Sequence, residues 1–328
     1  MKRFIVLLLV PVLVTAAEKP SRAALGVKTP GVQIPFASLV AEAEVPLSNG
    51  SPGWLFFAQA MFAPAPNSLL KIDGRSNKVG DPVPGMTQPC GGMVSAFGSL
   101  WVPQCGGGGS LIRLDPKTYK VTGTVPTSVG HARGIIAASS DSIWLLTDDK
   151  TTLARIDPDQ NLVLSDTRLP AGCMGVMFAE KSIWVACPAK NKVLRLNPST
   201  NVLEQSIEVS AQPIGIAAGA EGSIWVLCRK DGKIDRIESK TNKVVKSIEL
   251  GVPDADGAIA YGEGWLWVSQ AGFPLARIDA KQDVVVQQFS GAGGGLALTT
   301  SPGALWLSTA AGVKRIDPKR VLATLSPE

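Results

Sequence analysis

Gly98-Ser99-Leu100-Trp101-Val102, followed after a glycine-rich turn by Leu111-Ile112-Arg113-Leu114-Asp115-Pro116-Lys117-Thr118, is the stretch that decides the fold. Its first half runs small, apolar, aromatic. Its second half runs apolar, any, basic, apolar, acidic, and ends in a proline turn with Asp at the first turn position. Both halves are short, rich in strand formers and bounded by glycine or proline, so together they read as two antiparallel strands.

The pair returns along the chain. The aromatic half appears as Gly53-Trp54-Leu55-Phe56, Asp141-Ser142-Ile143-Trp144, Lys181-Ser182-Ile183-Trp184, Gly222-Ser223-Ile224-Trp225, Gly264-Trp265-Leu266-Trp267 and Gly303-Ala304-Leu305-Trp306. The basic half follows each copy, with Lys71, Arg113, Arg155, Arg195, Arg236, Arg277 and Arg315 at one register. A glycine-led strand of small residues precedes most copies, as at Gly134 to Ala138, and a valine-rich strand such as Lys243 to Leu250 follows. Seven copies at a period of about 40 residues are the spacing of four-stranded propeller blades. The fold expected is therefore all-β: a seven-bladed β-propeller of four-stranded antiparallel blades, strands A to D running from the channel outward. Blade one lacks a clear glycine-led strand A, and Ser38 to Pro46 is a candidate to complete the last blade. Either arrangement closes the ring and removes exposed sheet edges.

At the N-terminus, Lys2 and Arg3, the apolar run Phe4 to Val14 and the small residues up to Ala17 read as a secretory signal peptide over 1–17. The run is shorter than a membrane span requires. The expected division is signal peptide 1–17, linker 18–37 and propeller 38–328, with no membrane span after cleavage, a periplasmic or extracellular location, and a monomer. Loss of Lys2 and Arg3 takes two from a formal charge of +5. The seven basic residues of the repeat come one per blade and so are spread around a ring rather than gathered in a patch, and no nucleic-acid surface is expected.

These segments resemble the bacterial YVTN and YncE-like propellers and the streptogramin B lyase (virginiamycin B lyase) family, over the whole chain from about Ser38. The resemblance implies the fold. For the lyase it also implies histidines with a glutamate near the central opening. This chain has one histidine, His131, and no residue set matches that motif, so no catalytic residue is carried over. The function expected is an exported, non-catalytic propeller binding a small polar ligand or protein partner on its channel face. The alternative is a streptogramin-lyase-like or lactone-cleaving enzyme. A cell-surface adhesion module is a third reading.

In a propeller, the loops leading into strand A and leaving strand B lie on one face around the channel, where a ligand is most readily met. The residues at those places mix amides, guanidinium groups and a carboxylate: Gln59, Gln104, His131, Arg133, Arg229, Asp256 and Gln270. They suit a polar or anionic small molecule, or a peptide. No cofactor is identifiable and no metal site is expected: Asp148-Asp149 and Asp157-Pro158-Asp159 are too short for a calcium loop. The runs Gly106 to Gly109 and Gly293 to Gly295 lack the Lys-Ser or Lys-Thr of a phosphate loop. The tryptophans and the repeating basic residues are expected to pack blades rather than to bind ligands.

The cysteines give the sharpest structural expectation. Cys90 and Cys173 each stand two residues before a strand A glycine, while Cys105 and Cys187 stand at the end of strand B. Antiparallel pairing of A with B brings these positions together, so the bonds expected are Cys90 to Cys105 and Cys173 to Cys187. Cys228 has Pro213 at its partner position and should stay a free thiol.

Overall fold

The structure is a computed structural model and describes residues 26–147 and 151–323. The expected signal peptide, residues 18–25 of the expected linker and Asp148-Asp149 lie outside the described residues. Seven sheets are arranged as a ring, each a meander in which consecutive strands pair antiparallel. The inner strand of one blade packs on the inner strand of the next, and Leu298–Ser301 of blade seven reaches Phe56–Phe57 of blade one. One short helix, Pro318–Ala323, follows the last strand.

The recurring tryptophan sits at one place in every blade from two to seven. In blade four, Trp184 of strand B (Ser182–Cys187) lies opposite Arg195 of strand C (Lys192–Leu196), and Trp101–Arg113, Trp144–Arg155, Trp225–Arg236, Trp267–Arg277 and Trp306–Arg315 repeat the pairing. All six indoles are fully buried, so these rings serve packing and offer no platform to a ligand.

The arginines latch each blade to the next. Arg195 lies over Trp184 at 5.0 Å, takes Ser182 Oγ as an acceptor at 2.9 Å, and donates across the blade boundary to Ser239 O at 2.6 Å and Asn242 Oδ1 at 2.7 Å. Arg113 reaches Pro158 O, Arg155 reaches Ser199 O, Arg236 reaches Asp283, and Arg315 closes the ring onto Gly74 O. Blade one does the same with a different contact, placing Lys71 over the Tyr119 ring of blade two at 4.5 Å. The acceptor is in each case the C–D turn of the following blade. That turn is shaped by the repeat's acidic or amide residue: Asp115 Oδ1 accepts the amides of Lys117 and Thr118, and Asn197 Oδ1 those of Ser199 and Thr200.

Blade six is the exception. The turn that should receive Arg277 is replaced by the helix Pro318–Ala323, and Arg277 instead lies over Trp265 at 4.1 Å. It is 4% exposed, and its Nε and Nη1 have no hydrogen-bond partner. Burial draws its pKa down to about 10.

The register of blade one departs from the sequence expectation, and the closure of the ring, which the sequence left open, follows the candidate Ser38 to Pro46. In blade one the Trp54 segment is not strand B. Strand B is Met61–Ala65, with Phe62 opposite Lys71 in the tryptophan's place, and Gly53 to Phe57 forms the inner edge. Phe62 is as buried as the indoles, so a phenyl ring fills the slot there. At the N-terminus, Ala43–Pro46 pairs antiparallel with Gly312–Ile316 and supplies the outer strand of blade seven, which settles how the ring closes. Gln33–Pro35, within the stretch expected to be a linker, adds a fifth strand to blade six, parallel to Val284–Ser290.

Close approach around the channel requires glycine at the start of the inner strands. Gly134 has φ +63°, and a Cβ there would stand 3.3 Å from Gly175 Cα of the next blade. A side chain at this position would clash with backbone and not merely with a movable side chain.

Candidate functional site

The loops leading into the inner strands surround the upper mouth of the channel and form a cavity of about 890 Å³. Its polar wall comes from Asn49, Asn67, Gln88, His131, Arg133 and Asp256, and its apolar wall from Pro52, Pro66, Pro89, Met174 and the disulfide between Cys90 and Cys105. Below it the channel narrows to a smaller space of about 180 Å³, lined by inner-strand residues such as Val176, Ile216, Ile259 and Leu298. Arg133 borders both spaces.

Arg133 spans the opening. It leaves the loop into blade three, makes an ion pair through Nη2 with Asp256 Oδ1 at the start of blade six, and donates from Nη1 to Leu296 O of blade seven at 2.6 Å. The same Asp256 Oδ1 accepts the Gly257 amide at 2.9 Å, which fixes the carboxylate's orientation. The side chains of Arg133 and Asp256 are 27% and 39% exposed, so this charged pair is presented to the cavity. A partly desolvated pair of opposite charges in a concave wall is a strong local dipole.

Of the seven residues singled out in the sequence, His131, Arg133 and Asp256 meet at this cavity, and four do not. Gln104 is buried at the end of strand B, where Oε1 accepts the Thr87 amide at 2.8 Å and Nε2 donates to Gly85 O, so its amide holds a loop. Gln270 is buried likewise and donates to Val252 O. Arg229 is on the same face but donates through Nε and Nη2 to Gln212 Oε1, away from the cavity wall. Gln59 lies in the turn between the first two strands of blade one, on the opposite face, beside Pro116 and Tyr119. It was placed at the mouth by the misread register of blade one, and the corresponding position is Ala65, which does line the cavity. Sequence reasoning missed Asn49, Asn67 and Gln88. Their signal was the breaks in the repeat, Asn49-Gly50-Ser51-Pro52 and Pro64-Ala65-Pro66-Asn67, where a propeller of uniform blades would carry none.

Both expected disulfides are present, Cys90 to Cys105 and Cys173 to Cys187. Cys105 donates its amide to Gln88 O, and Cys90 to Pro103 O, so the first bond staples two loops of the cavity wall. The second joins the first two strands of blade four and is buried. Cys228 is a buried free thiol paired in register with Pro213, and burial raises its pKa far above the usual thiol value. Among the described residues no three His, Cys, Asp or Glu side chains gather as a metal-ligand set, and no helix is long and apolar enough to cross a membrane.

No protein-family model and no curated protein matches the chain. Among solved structures it is similar to a streptogramin B lyase, with TM-score 0.66, 17% identity, 83% of this chain and 96% of that one covered. It is also similar to the selenomethionine-substituted virginiamycin B lyase from Staphylococcus aureus, with TM-score 0.66, 15% identity and 82% and 95% coverage. At this identity the likeness establishes the fold: the chain is a seven-bladed propeller with the architecture of the streptogramin B lyases.

Proposed function

We propose that this protein is exported, loses residues 1–17, and works outside the cytosol as a binding protein that takes a small polar molecule at the channel mouth. The observation that carries the reading is the concave opening of about 890 Å³ in which the Arg133–Asp256 pair, His131 and three amide side chains face one space. Convergent polar groups in a roomy concavity are the ordinary form of a ligand site. The two disulfides support a compartment in which thiols oxidise. A thermal-shift screen of polar metabolites on the oxidised protein tests it, because a ligand held only by the folded state raises Tm. Under this reading a hit stabilises the parent and fails to stabilise Arg133→Ala.

The structural likeness to streptogramin B lyases favours a second reading, cleavage of a lactone at the same mouth. Here His131 would act as base with Arg133 as the electrophilic partner. Incubation with a streptogramin B and mass spectrometry for the opened ring decides it, and His131→Ala must then abolish turnover.

A further inference from the structure

We infer that the channel-mouth site recognises a zwitterionic head, the ammonium and carboxylate of a free α-amino acid, carried on a bulkier body. The inference rests on the binding reading above and names the class of ligand. Arg133 and Asp256 form a cation and an anion in direct contact at the wall of the cavity, each anchored from behind: Arg133 by Leu296 O at 2.6 Å and Asp256 by the Gly257 amide at 2.9 Å. Asp256 Oδ1 accepts both from Arg133 Nη2 and from the Gly257 amide, and Arg133 donates through Nη1 and Nη2, so these bonds among the described residues use neither Oδ2 of Asp256 nor Nε of Arg133. The pair therefore keeps a carboxylate oxygen and further guanidinium N–H groups for a ligand, Arg133 having committed two of its five donors.

A simple anion would gain from Arg133 and be repelled by Asp256, and a simple cation the reverse. A ligand whose two charges sit on one carbon can meet both at once, ammonium on Oδ2 and carboxylate on the guanidinium, in an antiparallel pairing of two dipoles. Peptide termini are set further apart, by roughly 3.3–3.6 Å for each residue, and match a contacting pair poorly. The rest of the space, about 890 Å³ against roughly 30 Å³ for a water-sized group, accommodates a body lying on the proline and Met174 wall.

The experiment is calorimetric titration of the oxidised, full-length mature protein with four probes: L-phenylalanine, its amide, its N-acetyl derivative, and glycyl-L-phenylalanine. L-phenylalanine should bind, and each of the other three should bind about tenfold or more weakly, since each lacks one charge or separates the two. Asp256→Asn keeps the side-chain shape and the Gly257 contact but loses the charge. It should bring N-acetyl-phenylalanine to within about threefold of phenylalanine, a change of preference that a merely structural role would not produce. Equal affinity of the parent for phenylalanine and its N-acetyl or amide form overturns the inference. So does a Tm hit on an uncharged or singly charged compound that depends on Arg133 while phenylalanine is silent, although the binding reading then stands. Absence of any Arg133-dependent ligand overturns both.

Discussion

Replacing the latch arginine of blade four by methionine and that of blade six by methionine should have opposite effects, although the two residues occupy the same repeat position. Arg195→Met removes two charge-assisted hydrogen bonds to blade five, at 2.6 and 2.7 Å, a bond to Ser182 Oγ, and the stack on Trp184. Charged hydrogen bonds contribute about 1.5–3 kcal/mol each and an exposed cation–π contact about 0.5–1 kcal/mol. Water replaces part of this because Arg195 is only half-buried, so the net loss is about 2–4 kcal/mol. At about 2 °C per kcal/mol for a domain of this size, Tm should fall by about 4–8 °C. Arg277→Met removes a buried guanidinium whose Nε and Nη1 have no partner, and methionine retains the apolar contact with Trp265. Exchanging such a buried charge for an apolar side chain is commonly neutral or stabilising by about 1–4 kcal/mol, so Tm should hold or rise. Thermal and urea unfolding of both variants, disulfides intact, provides the comparison. An Arg277→Met protein as destabilised as Arg195→Met would refute the claim that the latch acts through the following blade's turn.

Other consequences are as direct. Mild dithiol reduction of the native protein should open Cys90–Cys105, whose sulfurs border the cavity, before the buried Cys173–Cys187; differential alkylation and mass spectrometry would show two labelled cysteines, and Cys228 unlabelled. Val45→Asp puts a carboxylate into the buried pairing of Ala43–Pro46 with blade seven and should cost about 3 kcal/mol or more, read as a lower urea midpoint; a parent-like midpoint would mean that this strand does not close the ring. The Thr118 backbone amide, the Thr118 hydroxyl and the Lys117 amide hold the Asp115 carboxyl below its ordinary value. A depressed folded pKa gives stability that is complete above about pH 4 and is lost as pH falls through the folded value. Asp115→Asn, which keeps the turn as Asn197 does, should flatten that acid-side loss in urea midpoints measured against pH.

The architecture was legible because tryptophan and arginine mark one cross-strand pair six times, and a ring of equal blades has to repeat what its interior requires. The disulfides were legible for the same reason, since register alone brings the start of strand A beside the end of strand B. Blade one was misread because Trp54 imitates the repeat two residues before the inner strand, while the true slot holds Phe62. Gln59 was carried to the wrong face by that slip. Gln104 and Gln270 occupy the right loops, yet their amides turn inward to unpaired backbone groups, a choice set by tertiary packing and invisible in a strand pattern. Arg133 and Asp256 were legible as loop residues of opposite charge, but their meeting across the ring, 123 positions apart, depends on the closure of the propeller.

Hydrogen–deuterium exchange with a bound polar ligand, or amide chemical shifts on titration, tests the channel-mouth site most directly. Protection should concentrate at 49–53, 64–67, 88–90, 131–133 and 256, the loops around the mouth. Protection centred instead on Gln59, Ser95 and Tyr119, on the opposite face, would contradict it.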